Sequence, residues 1–117
     1  MEKRRHLATN KRDGLLFSVY VIQAGEYIKV GIAEDVLKRL QVFRTHCPMP
    51  VSMVYCSKPV LRPEARRIEL LCHGQLGFHH VHGEWFRTDP AKAVWVLDQI
   101  TERVVREEVT PQLKLLK

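Results

Sequence analysis

Residues 18–39 read SVYVIQAGEYIKVGIAEDVLKR, and the way this stretch divides decides the architecture. Two apolar runs are split by Ala24-Gly25, and a charged run with helical spacing follows. Paired as a hairpin with Ala24 and Gly25 at the tip, the runs set Ile22 against Tyr27, Val21 against Ile28, Tyr20 against Lys29, Val19 against Val30 and Ser18 against Gly31. Side chains alternate across a strand, so two faces separate. One carries Phe17, Val19, Val21, Ile28, Val30 and Ile32; the other carries Ser18, Tyr20, Ile22, Tyr27, Lys29 and Gly31. The first is a surface to bury, and the second a surface to work on. Ala-Gly is not a favoured two-residue loop, which leaves the register open by a residue.

Around this stretch the composition sets bounds. A chain of 117 residues with 45% apolar content suits one globular domain with a modest core. No apolar run approaches the roughly 18 residues of a membrane span. The basic start, MEKRRHLATNKRDG, is followed by no apolar signal segment, so a soluble, cytoplasmic protein is expected, at the nucleoid or in a phage-infected cell. Cys47, Cys56 and Cys72 are odd in number and scattered, which points to a reducing compartment rather than a disulfide framework. Cys72 and the nearby histidines include no CxxC pair, which argues against structural zinc. The net charge of +6 favours polyanionic partners.

The rest of the chain reads as alternating elements. Residues 1–13 form a basic arm, with Lys3, Arg4, Arg5, Lys11 and Arg12 either touching phosphates or simply solvated. Residues 14–108 form the domain and 109–117 a C-terminal tail. Glu34 to Arg44 reads as a helix with Val36, Leu37, Leu40 and Phe43 inward, and Pro48 and Pro50 end the segment. Val51 to Ser57 alternates as a third strand. A second helix runs from Pro63 to Leu76, burying Ala65, Ile68, Leu71, Cys72 and Leu76. Arg66, Glu69 and His73 share another of its faces, with Arg62 just ahead. Gly83-Glu84-Trp85-Phe86 is a short strand or turn whose aromatics anchor the last helix. That helix starts at Asp89-Pro90, buries Ala93, Val94, Leu97, Ile100 and Val104, and closes at Pro111. The order β-β-α-β-α-(β)-α gives an α+β fold, a small three-stranded antiparallel sheet flanked by helices.

Five separated features resemble the GIY-YIG nuclease superfamily, and its compact phage and bacterial branch in particular. Ser18-Val19-Tyr20 stands at the first motif and Lys29-Val30-Gly31 at the second. Arg39 stands at the helix arginine, and Glu69 at the metal-binding glutamate with His73 four residues on. The Gly83-Glu84-Trp85-Phe86 block is also similar to that branch. The chain departs from the family at Lys29, where a tyrosine is usual, and at Phe43, where several relatives are polar. No counterpart of a late asparagine found in some relatives stands out.

The resemblance implies a metal-dependent endonuclease cutting DNA phosphodiester bonds with Mg2+ or Mn2+. In that scheme Glu69 holds the metal and Arg39 forks onto the scissile phosphate. Tyr20 positions or deprotonates the attacking water; Lys29, expected to lie opposite it, would favour its phenolate and contact the phosphate. His73 and His46 are further candidates for proton transfer or phosphate contact. Arg66, Tyr27 and Gly31 are candidates for substrate binding, Gly31 by clearing room for the phosphate or else as a strand bulge. Each residue also has an ordinary alternative: Tyr20 as a strand tyrosine, Arg39 paired with Asp35, Glu69 paired with Arg66 or His73. The alternative function is a DNA-binding domain of the same fold with weak or no cleavage. Any sequence preference would come from loops, the basic arm or a second subunit in a homodimer, and no small-molecule cofactor or membrane partner is expected.

Overall fold

The structure, a computed structural model, describes residues 15–115. The basic arm at residues 1–13 lies outside the described residues. Strand β1 (Leu16–Ala24) and strand β2 (Tyr27–Ala33) pair antiparallel, with Val19 opposite Ile32, Tyr20 opposite Gly31, Val21 opposite Val30 and Ile22 opposite Lys29. The loop is Gly25-Glu26, and Gly25 sits at φ +62°. Tight two-residue hairpin loops need a positive φ, which glycine adopts without a Cβ clash. This corrects the expected register: moving the loop along by one residue changes every pairing by two. An even shift keeps each side chain on its expected face.

The other elements follow in order as helix α1 (Val36–His46), strands β3 (Val51–Cys56) and β4 (Val60–Leu61), and helix α2 (Arg62–Gln75). A 3-10 turn (Gly77–His79), strands β5 (His80–His82) and β6 (Trp85–Phe86), and helix α3 (Pro90–Leu115) complete the chain. The sheet order is β3-β1-β2-β6-β5, with β4 on β1, and all the pairings are antiparallel. The three long strands are those expected; the β5–β6 hairpin widens the sheet at the β2 edge. Its tip includes Gly83 at φ +57°.

Both faces are covered. Phe17, Val19, Val21, Ile28 and Val30 pack with Ala65, Ile68, Cys72 and Leu76 of α2 and with Ala93, Val96, Leu97, Ile100 and Val104 of α3. A fully buried aliphatic side chain contributes about 1.5–3 kcal/mol, so this face holds the fold together. On the opposite face Tyr20, Ile22 and Ala24 pack with Val36 and Leu40 of α1 and with Val51. Leu37, expected inside, is 69% exposed because it lies off the Val36–Leu40 stripe. Val96 takes the buried place expected of Val94. The aromatics of β6 do not act as a pair: Phe86 joins the main core, while Trp85 packs against the α1 side, as strand alternation requires. α3 also passes Pro111, since a proline removes one ladder donor without forbidding helix on either side of it. Among the described residues no helix is long and apolar enough to cross a membrane.

Candidate functional site

Away from the hairpin tip, α1, α2 and the β1–β2 ladder border one hollow. A cleft of about 540 Å³ opens between them. Tyr20 and Gly31 line it from the sheet, Lys38 and Arg39 from α1, Arg62, Arg66 and Glu69 from α2, and Glu84 from the β5–β6 turn. The phenol, guanidinium and carboxylate singled out from sequence thus reach one hollow from three separate elements.

Tyr20 is held tightly. Its ring lies over Gly31, its cross-strand partner, and a Cβ added there would stand 2.5 Å from the phenol oxygen and 2.7 Å from Cζ. Gly31 therefore makes room for the Tyr20 ring, where sequence suggested room for a phosphate or a bulge. Burial raises the phenol pKa above 10; a hydrogen bond and the charge of Arg39 oppose this, and Glu84 and Glu69 add to it. Tyr20 is accordingly a neutral phenol near pH 7.

Asp35 starts α1 as its N-cap, accepting from the Lys38 backbone N–H at 3.1 Å. That start sets the helical phase that turns Arg39 toward the cleft, with its guanidinium carbon 5.4 Å from the centre of the Phe43 ring. The same ring lies 5.3 Å from Lys29 Nζ and 6.4 Å from the Tyr20 ring centre. Phe43 thus forms a wall shared by both cations and the phenol.

Lys29 behaves differently from the expectation. The register sets it opposite Ile22, and its buried ammonium pairs with Glu84. The expected placement of Lys29 opposite Tyr20 is thereby corrected.

Glu69 is 4% exposed, with Oε1 3.6 Å from Arg66 Nη1. Burial raises its pKa, the Glu84 charge adds to the rise, and His73, Arg66 and Lys29 oppose it. His73 does not line the cleft. Its Nε2 donates to the Val30 carbonyl at 2.9 Å, tying α2 to β2 one helical turn beyond Glu69. Tyr27 and His46 lie elsewhere, in a neighbouring groove. The Tyr27 hydroxyl accepts from Arg87 at 3.2 Å, and His46 Nδ1 donates to the Val42 carbonyl at 2.9 Å.

Glu84 is the residue that sequence reasoning passed over. It stood inside the Gly-Glu-Trp-Phe block, whose aromatics drew the attention. The available signal was its position at a hairpin turn beside a strand that had to meet β2 at Lys29. Lys38 and Arg62 were also missed as cleft residues, because helical phase alone does not say which helices converge.

Among the described residues no cluster of three or more His, Cys, Asp or Glu side chains has the spacing of a metal site. Of the four carboxylates that line the cleft, Glu69 and Glu84 are close enough for one to raise the pKa of the other, while Glu34 and Asp35 stand beside the start of α1. Magnesium is commonly held by one or two carboxylates, with water and phosphate oxygens completing its shell. That donor set fits a hard divalent cation. Residues 18–105, from β1 into α3, match the T5orf172 domain model. No curated protein and no solved structure matches the chain. On the match that spans most of its length, this chain belongs to the T5orf172 domain family.

Proposed function

We propose that this protein is a metal-dependent endonuclease of GIY-YIG type, hydrolysing phosphodiester bonds in DNA. The observation that carries the reading is the convergence of Tyr20, Arg39 and Glu69 on one open cleft. Arg39 binds the scissile phosphate through its fork of N–H donors, and its charge does not titrate away. Tyr20, locked against Gly31, orients the attacking water through its hydroxyl. A neutral phenol suits positioning better than proton abstraction. Glu69, with Glu84 beside it, would hold Mg2+ or Mn2+, which when bound offsets the charge that develops as the 3′ oxygen departs. Phe43 fixes the lateral position of Arg39, and His73 that of α2.

A second reading, DNA binding without efficient cleavage, is favoured by the commitment of Lys29 to Glu84 and by the raised pKa of Tyr20. One assay decides. Supercoiled plasmid is incubated with protein and Mg2+, with EDTA, and with Glu69→Ala. Nicking that needs Mg2+ and Glu69 supports the nuclease. Salt-dependent retention of DNA without nicking supports the second reading. Neither nicking nor retention refutes both.

A further inference from the structure

The cations that line the cleft are not alike. Arg39 rests on the Phe43 ring, and Arg66 pairs with Glu69 at 3.6 Å. Arg62 is engaged as well. Lys38 differs. Asp35 takes its backbone N–H, while its exposed side chain has no hydrogen bond or ion pair among the described residues. It stands next to Arg39 on α1, so its ammonium is open to a ligand. The walls are also longer than one phosphate needs. From Asp35 to Val42 the cleft follows α1, and from Arg62 to Glu69 it follows α2, about two helical turns or roughly 10 Å on each side. A nucleic-acid strand advances about 3.4 Å per nucleotide along its axis, so such walls face about three nucleotides. Arg39 accounts for one phosphate among them.

We propose that Lys38 is a substrate-binding residue that holds the phosphodiester next to the one on Arg39, so that the cleft takes a continuous strand across at least two successive phosphates. The inference rests on the reading of the cleft as a phosphate site, and it adds a second subsite and a minimum substrate. The two side chains suit different tasks. A guanidinium offers a planar fork that fixes one phosphate in orientation, as a reacting group requires. An ammonium on a flexible four-carbon stem is a point charge, which follows a neighbouring phosphate without dictating its orientation. The carboxylates of Glu34 and Asp35 also line this wall, so a lone anion gains little there. A strand already held on Arg39 brings its next phosphate to Lys38 at high effective concentration.

Salt dependence counts the phosphates. Each one neutralised adds about 0.9 to the slope of log affinity against log salt for duplex DNA. A fluorescently labelled duplex is titrated with protein in EDTA, between about 50 and about 200 mM salt, and binding is read by anisotropy. Lys38→Met and Arg39→Gln should each lower the slope by about 0.9, and the double variant by about 1.8. Lys38→Arg, which keeps the charge, should keep the wild-type slope. Lys92→Met removes a lysine that lies outside the cleft, beside His79, and should leave the slope unchanged. A lower slope in Arg39→Gln with none in Lys38→Met overturns the second subsite and leaves the phosphate cleft standing. A double variant no lower than either single one puts both cations on one phosphate and overturns it too. So does an equal fall in Lys92→Met, which would mark an effect of net charge alone. Absence of binding by the wild type at the lowest salt removes the subsite and the cleft reading together. None of these outcomes depends on cleavage, so a protein that binds without cutting is tested equally well.

Discussion

Replacing Gly31 with alanine tests the packing on which the site depends. Glycine inside a strand is ordinarily a weakness, and alanine there should stabilise by about 0.5–1 kcal/mol through lower chain entropy. The contacts at Gly31 reverse that sign. The new Cβ would meet Tyr20 Oη at 2.5 Å and Cζ at 2.7 Å, where ordinary contact begins at 3.4 Å. The ring must therefore give way by close to an ångström, and it is 2% exposed among Ile22, Val36, Leu40 and Val51. Overpacking of this kind costs about 1–3 kcal/mol.

Moving a positioned group by about 1 Å also costs on the order of 100-fold in rate. Gly31→Ala should thus lower both the denaturation midpoint in urea and the plasmid-nicking rate. A double-mutant cycle with Tyr20→Leu isolates the cause, because a shorter side chain leaves room for the methyl group. In that background Gly31→Ala should cost under about 0.5 kcal/mol, giving a coupling above about 1 kcal/mol. A stabilised Gly31→Ala protein, or costs that simply add, would show that the glycine does not serve the phenol.

Three further outcomes follow from the same structure. Lys29→Met should reduce nicking by a similar factor at about pH 7 and about pH 9, because Lys29 stands opposite Ile22 and is paired with Glu84; a deficit confined to about pH 7 would restore the activation role. Mg2+ should raise the melting temperature of the wild-type protein by ligand linkage, worth about 2.7 kcal/mol at a hundredfold excess over Kd, and Glu69→Gln should abolish the shift; an equal shift in both proteins would place any bound cation elsewhere. Tyr55 donates to Asp98 at 2.8 Å, and its pKa is pushed up to about 12, by burial first and then by Asp98. A raised folded pKa means that this contribution is complete below about pH 10 and is lost as pH rises toward 12. Stability should fall across that window in the wild type, and less steeply in Tyr55→Phe, as followed by denaturation midpoints.

The parts of the molecule written in local pattern were readable in advance. Period-2 alternation in β1 and β2 gave the two faces correctly even though the register was misjudged, because parity survives a shift of two. Proline at the start of α2 and the Ala65–Ile68–Cys72 spacing defined that helix and its buried side. What the pattern did not contain was the choice of loop. Ala24-Gly25 and Gly25-Glu26 differ only in where the positive φ falls, and that difference decided whether Tyr20 faced Lys29 or Gly31. The residues of the cleft were readable where helical spacing and the family resemblance agreed, as with Glu69, which shares a face with Arg66 and lines the cleft beside it. They were unreadable where position depended on two distant elements meeting, which is why Glu84, brought in by the β5–β6 hairpin, went unnoticed.

Glu84 also explains how a buried glutamate and a buried lysine persist together. Lys29 without Glu84 would be an uncompensated cation beneath the sheet face, a costly arrangement. Glu84 neutralises it, yet adds negative charge beside Glu69 and so raises the Glu69 pKa. Arg66, at 3.6 Å and on the solvent side, compensates Glu69 only in part. The cleft is therefore mixed in charge along both helices, with Glu34 and Asp35 beside Lys38 and Arg39 at α1 and with Arg62 and Arg66 beside Glu69 at α2. Such a mixture suits a ligand that carries both a divalent cation and a phosphate, and it disfavours a neutral partner on the same surface.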